Sequence, residues 1–331
     1  MPPLRKIHFE LTPIGYGCRN MTESAADTTD LILHHYDLSP FAEKIRLALG
    51  VKGLTWRSVQ APMVLPKEDH FELTGGYRRV PVLQIGADIY CDTHLITRVL
   101  DQRFPSPPLS PAGLEMVDLS VSRWAETSFM MVILTYFGIG GIFPEDFVED
   151  RKKTMIPPSM NIDGAPLIVG TKLVQLRDNI ERIESTLADG RSFLLGDVVS
   201  TSDLSAYHPL MILGMHERTQ ALLDGMDSVA AWMTRIREIG HGKVLPFDST
   251  QAIETARTAE PTAFDGAPIL PDGMKLGDPV LLLPDEYGSG NVTGRLAPSG
   301  ISEIAIARTT DRAGEVIVHF PREDYALIPL S

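Results

Sequence analysis

At 331 residues the chain is long for one domain and sufficient for two or three, with 44% hydrophobic residues available for cores. A formal net charge of −13 opposes nonspecific binding to nucleic acid or to an anionic membrane surface. Only Cys18 and Cys91 carry thiols, which excludes a disulfide framework and a four-cysteine metal site and suits a reducing cytoplasm.

Residues 1–30 mix charged, small and polar types without the apolar centre of a secretion signal, and read as an N-terminal extension. Leu31 to Tyr36 is an apolar run that reads as a strand, and Ser39-Pro40 opens a helix whose buried face carries Phe41, Ile45, Ala48 and Leu49. That start has two readings: a good helix cap, or an anion site at the positive pole of a helix, where a thiolate would be stabilised beside the Ser39 hydroxyl. Thr55 to Val59 alternates as a second strand and completes a βαβ unit. Val80-Pro81 starts the next strand, with a cis peptide as one option, and residues 82–91 form a hairpin around Gly86-Ala87-Asp88. A helix with Leu95, Ile96, Val99 and Leu100 on its buried face follows, and Pro105, Pro107, Pro108 and Pro111 mark a linker.

Leu114 to about Phe137 is helical and apolar, residues 138–164 have no clear course, and 167–187 form an amphipathic helix with Leu173, Leu176, Ile180, Ile183 and Leu187 in one stripe. Ser200 and Asp203 form a reciprocal capping pair ahead of another helix. His208 and His216 lack companions at metal-ligand spacing, so no metal site is assigned. A further helix stops at Gly240, and a polar connector runs to Pro261. Short strands over 278–283, 291–296, 301–308 and 315–320 suggest a small β-barrel, SH3-like in strand spacing only, docked on the helical domain. The fold class expected is α+β, with an extension at 1–30, a βαβ–ββα domain at 31–104, an all-α bundle at 112–245 and the barrel at 265–331.

Ser39-Pro40-Phe41, Val80-Pro81-Val82-Leu83 and Cys91-Asp92-Thr93 together resemble the glutathione transferase superfamily, in its Ser-type, tau- or omega-like form. The resemblance implies a thioredoxin-like domain in which Ser39 activates the sulfur of glutathione, used as cosubstrate. It implies that Asp92 pairs with the γ-glutamyl ammonium and Thr93 meets its carboxylate. Arg79 would hold the glycine carboxylate, Val80 would offer its backbone to the cysteinyl unit beside Pro81, and Phe41 follows the catalytic serine in the motif. Asp92-Thr93 replaces the usual Glu-Ser, keeping a carboxylate and a hydroxyl. The equivalent of the 114–137 helix walls an electrophile pocket, which nominates Trp124, Phe129, Met131 and Tyr136. A small hydrophobic electrophile, a homodimer and a cytoplasmic location are the further implications. Cys91 has no Cys-x-x-Cys companion and reads as a core thiol, which excludes a dithiol oxidoreductase. Two function classes remain: a glutathione-dependent enzyme, and a non-catalytic binding or interaction protein on the same fold.

Overall fold

The computed structural model describes residues 30–133, 144–154, 168–214 and 217–330. β1 (Leu31–His35), α1 (Pro40–Val51) and β2 (Thr55–Gln60) form the first unit. After α2 (Glu68–Thr74), β3 (Val82–Ile85), β4 (Asp88–Cys91) and α3 (Thr93–Arg103) form the second. β1 pairs in parallel with β2 and antiparallel with β3, and β4 is antiparallel to β3. This is the expected thioredoxin-like arrangement.

The helical part comprises α4 (Glu115–Trp124), α5 (Glu145–Thr154), α6 (Val169–Leu187), α7 (Thr201–Leu213) and α8 (Asp227–Ile239). Leu176, Ile180, Ile183 and Leu187 are buried along α6, while Leu173 is only partly covered. Asp203 lies under the start of α7, where its carboxylate accepts from the Ser200 N–H at 2.9 Å, the Leu194 N–H at 2.8 Å and the Trp232 indole N–H at 2.8 Å. Four donors, counting the Ser200 hydroxyl, converge on a carboxylate that burial would otherwise leave without partners. The expected capping pair is therefore also the point that ties α8 to α7.

The C-terminal region differs from expectation in two ways. The last residues assigned to the all-α bundle, and Pro246 beyond them, form β5 (Lys243–Pro246), parallel to β2, and the connector read up to Pro261 contains α9 (Ser249–Thr258), which packs on α2, β2 and β9. The barrel is not a separate body. β6 (Pro279–Pro284), β7 (Val292–Ala297), β8 (Glu303–Thr310), β9 (Gly314–Pro321) and β10 (Tyr325–Pro329) join the thioredoxin-like strands in one ten-stranded sheet, through parallel pairing of β9 with β4. Their inner faces share a core with that domain: Val82, Ile89 and Cys91 pack with Val280, Leu282, Ile306, Val318 and Phe320. The apolar face of the added strands is thus covered mainly by the thioredoxin-like part, and the helical domain meets it at Arg123, which pairs with Glu323 and Asp324. Among the described residues no helix is long and apolar enough to cross a membrane.

Candidate functional site

Strand register decides which loops meet. His34 lies opposite Val82, and Val82 opposite Cys91, so the C-terminal ends of β1 and β4 and the start of β3 share one end of the sheet. Ser39, Val80-Pro81 and Asp92-Thr93 are the residues leaving or reaching those ends. Ser39 caps α1 in extended conformation and accepts the Ala42 N–H at 3.2 Å, which leaves its hydroxyl hydrogen to be donated elsewhere. It is 2% exposed. The Val80–Pro81 peptide is cis, and Val80 is buried. Asp92 has φ of +77°, a conformation that side chains other than glycine rarely hold, and its Oδ1 accepts the His94 N–H at 2.8 Å to cap α3. The Phe41 ring packs 4.9 Å from that of His208 on α7.

A charged network lies behind this end of the sheet. The fully buried Lys44 ammonium meets Glu126 at 2.5 Å and reaches the Thr93 hydroxyl at 3.4 Å. The second Glu126 oxygen faces His94 Nε2 at 2.7 Å, and the Ser205 hydroxyl donates to the first at 2.8 Å. Burial alone would raise the Glu126 carboxyl, but Lys44 and His94 outweigh it and hold it well below the usual range. Glu126 stands in a π-helical turn, Ala125–Phe129, a register change that lets a polar side chain leave the regular helix face. Next to the network, His208 is completely buried, neither ring nitrogen has a partner in hydrogen-bond geometry among the described residues, and burial depresses it to about 3.

The added strands also reach this end. The Tyr325 hydroxyl donates to Asp92 Oδ2 at 3.1 Å and lies 3.3 Å from the Tyr77 hydroxyl. Arg79 donates from Nε to the Ser289 hydroxyl at 2.5 Å and pairs through Nη2 with Glu286 at 2.6 Å. The preceding Arg78 pairs with Asp150 of α5 at 2.6 Å, and its carbonyl accepts from the buried Lys67 ammonium at 3.1 Å. Burial and the nearby Arg151 and Arg78 push Lys67 down to about 8.

The nominated pocket residues are not brought together as one lining. Phe129 is completely buried in the core and stacks on the half-buried Trp124 at 5.3 Å, whereas Met131 is 47% exposed. Tyr136 lies outside the described residues. On the β2–β5 side of α1 a groove of about 470 Å³ is lined by His35, Glu43, Arg46, Trp56 and His241, none of them nominated from sequence. Burial and the adjacent Arg46 lower His35 to about 4, so its neutral ring accepts from Arg46 Nη1 at 3.0 Å and donates from Nε2 to Ser58 at 2.8 Å. Among the described residues no cluster of three or more His, Cys, Asp or Glu is placed to hold a metal.

Sequence reasoning missed Lys44, Glu126, Tyr325, Ser289 and Glu286. Lys44 had a signal, since it stands at i+3 from Phe41 and i−4 from Ala48, on the stripe that α1 buries. The residues of the added strands had none, because nothing local announces which loop they meet.

The family model for the glutathione S-transferase N-terminal domain matches residues 33–108. A GST-like protein from Pseudomonas syringae is 37% identical in sequence, with a TM-score of 0.74 over 91% of this chain and 100% of that one. At that coverage the likeness reaches into the added C-terminal region as well. Glutathione S-transferase Z1 of Arabidopsis thaliana is 33% identical over 90 residues, which are 25% of this chain and 39% of the plant protein. The beta-etherase LigF from Sphingobium sp. shares the fold, at 18% identity and a TM-score of 0.51 over 64% of this chain and 98% of its own. The chain belongs to the family of glutathione S-transferase-like proteins.

Proposed function

We propose that the chain is a glutathione-dependent transferase in which Ser39 activates the tripeptide's sulfur for attack on a small hydrophobic electrophile. The observation that carries this reading is the convergence of Ser39, the cis Val80–Pro81 peptide and Asp92-Thr93 at one end of the sheet. A free thiol with pKa of about 8.5 is mostly protonated at neutral pH. Donation by the Ser39 hydroxyl, added to the N-terminus of α1, supplies about 1.5 to 3 kcal/mol, or roughly one to two pKa units. Asp92 takes the γ-glutamyl ammonium, Thr93 and the first amides of α3 its carboxylate, Val80 the cysteinyl backbone and Arg79 the glycine end. Phe41 packs behind the serine, and the electrophile lies on the α4 side, against the segment that carries Trp124, Phe129 and Met131. In the reaction the sulfur–carbon bond forms, the leaving group departs with its electron pair, and the thiol proton passes to solvent. A cytoplasmic homodimer is the working unit, with Met116 and Val117 of α4, 72% and 46% exposed, as apolar surface for the partner copy.

A second reading, of a non-catalytic binding protein, is favoured by the burial of Ser39 and by the engagement of Asp92 and Arg79 with the chain's own side chains. Thiolate ultraviolet absorbance of the glutathione complex against pH separates the two. Ser39→Ala is expected to raise the bound thiol's apparent pKa by about one unit or more, with modest change in affinity. Equal values in both proteins would remove Ser39 from catalysis.

A further inference from the structure

The groups assigned to the glycine end of glutathione are already held by the chain itself, and this determines what that end can recognise. β6 and β10 are antiparallel with Pro284 opposite Tyr325, so the loop following β6 lies at the same end of the added strands as the start of β10, whose Tyr325 touches Asp92. That loop is seated on residues 75–80 by backbone contact. The Ser289 carbonyl accepts the Arg78 N–H at 2.9 Å, and Ser289 is 2% exposed. A Cβ on Gly290 would stand 2.0 Å from the Gly76 carbonyl oxygen, an approach that only glycine permits. With its backbone fixed in this way, the loop directs Ser289 Oγ to Arg79 Nε and a Glu286 carboxylate oxygen to Arg79 Nη2.

We infer that Glu286 is a specificity-determining residue: it neutralises Arg79, so the site takes tripeptide thiols whose glycine end is uncharged about as well as it takes the free acid. The inference rests on the glutathione reading proposed above. A guanidinium whose fork already faces a carboxylate attracts a second carboxylate weakly, because the incoming anion must displace Glu286 or share the cation with it. The Arg79 side chain is 21% exposed and that of Glu286 67%, so an incoming glycine carboxylate shares the guanidinium with Glu286 and meets that residue's like charge, which offsets most of what Arg79 offers it. Arg78 offers no substitute, since Asp150 holds it in a pair whose side chains are 6% and 10% exposed. Asp92 and Thr93, at the other end of the tripeptide, keep their assigned parts and fix its γ-glutamyl unit.

The test is calorimetric titration of the full-length chain with glutathione and with glutathione ethyl ester, in which the glycine carboxylate is masked. The wild type is expected to bind the two within about threefold of each other, and Glu286→Gln to bind the free acid about tenfold tighter with the ester unchanged. Arg79→Gln in the Glu286→Gln background is expected to abolish that gain. A wild type that loses tenfold or more on esterification overturns the inference. So does a Glu286→Gln variant with unaltered affinity for the acid, while both leave the glutathione reading standing. If neither ligand binds the wild type, the glutathione reading fails and the inference falls with it.

Discussion

The Tyr325 hydroxyl donates to the Asp92 carboxylate at 3.1 Å, joining the last strand of the chain to the residue that caps α3. Since Tyr325 gives its hydrogen to Asp92, the Tyr77 hydroxyl is the donor in the 3.3 Å contact between the tyrosines. Burial raises both phenols, so they remain protonated donors at any physiological pH. One carboxylate oxygen is thereby occupied by the cap and the other by a residue from the far end of the chain. Asp92 is oriented from two sides.

Asp92→Ala is expected to weaken glutathione binding by about 2 to 4 kcal/mol, because a charge-assisted contact is lost and the ammonium is left unpaired. Tyr325→Phe keeps the ring packed at 5.1 Å against Phe320 and removes only one orienting hydrogen bond, so its cost is about 0.5 to 1.5 kcal/mol. Calorimetry that finds wild-type affinity in Asp92→Ala rejects the role given to that carboxylate.

Lys44 and Glu126 form a pair whose side chains are 0% and 7% exposed. Lys44→Met removes the cation from a buried carboxylate and leaves it, among the described residues, with His94 and Ser205, and is expected to cost about 3 to 5 kcal/mol of stability. Replacing both members, as Lys44→Met with Glu126→Leu, restores much of that loss, because an apolar pair carries no desolvation penalty. Urea denaturation of the single and double variants decides the matter: equal destabilisation by both means that the pair contributes through packing and not through charge.

His319 on β9 faces Asp88 on β4 at 3.1 Å and stacks on Tyr90 at 4.5 Å, so it sits on the seam between the two halves of the sheet. Burial lowers its tendency to be charged, but Asp88 and Glu303 outweigh burial and raise it above 6.5. Asp88 is itself lowered below 3.8, by the His319 and Thr262 contacts acting against burial. A raised histidine stabilises fully below its unfolded pKa and loses that contribution as pH climbs through the folded one. A lowered aspartate stabilises above its unfolded pKa and loses its contribution as pH falls through the folded one. The seam is therefore strongest between about pH 4 and 6.5. Urea midpoints are expected to fall from pH 6 to 8.5 in the wild type and to fall less in His319→Gln; parallel profiles would dismiss the pair as a contributor.

Cutting the chain before residue 265 removes β6 to β10 and uncovers Val82, Ile89 and Cys91, all now buried. Each buried apolar side chain of this size is worth roughly 1.5 to 3 kcal/mol, and the loss also opens the hydrogen-bonding edge of β4. The shortened chain is expected to be insoluble or to associate. A monomeric fragment that unfolds at the wild-type midpoint, by light scattering and urea denaturation, would show that the added strands are a separable appendage.

What could be read from the chain alone was local. Ser39-Pro40 announces a helix start, Asp92-Thr93 another, and Ser200 with Asp203 a third, because a cap depends on residues three or four apart. Asp248 to Gln251 carries the same signature ahead of Ala252, Ile253 and Ala256, and it marked α9 within the stretch expected to be a connector. β5 is four residues long, ends in proline and is largely exposed, so no periodicity distinguished it from a loop. Pairing of β4 with β9 was illegible for a different reason. Both strands look complete as members of separate sheets, and only the shared core of Ile89, Cys91, Val318 and Phe320 makes them neighbours.

The seam between β4 and β9 also sets a schedule for synthesis. β4 is finished at Cys91, whereas its partner begins at Gly314, so a ribosome working at about 5 to 20 residues per second leaves that strand edge uncovered for tens of seconds. During that interval the nascent chain holds a nearly complete thioredoxin-like unit with an apolar face and a row of unpaired backbone groups. Slower elongation upstream of residue 314 prolongs the exposure, and anything that binds the edge of β4 finds it then and not in the finished protein, where β9 covers it.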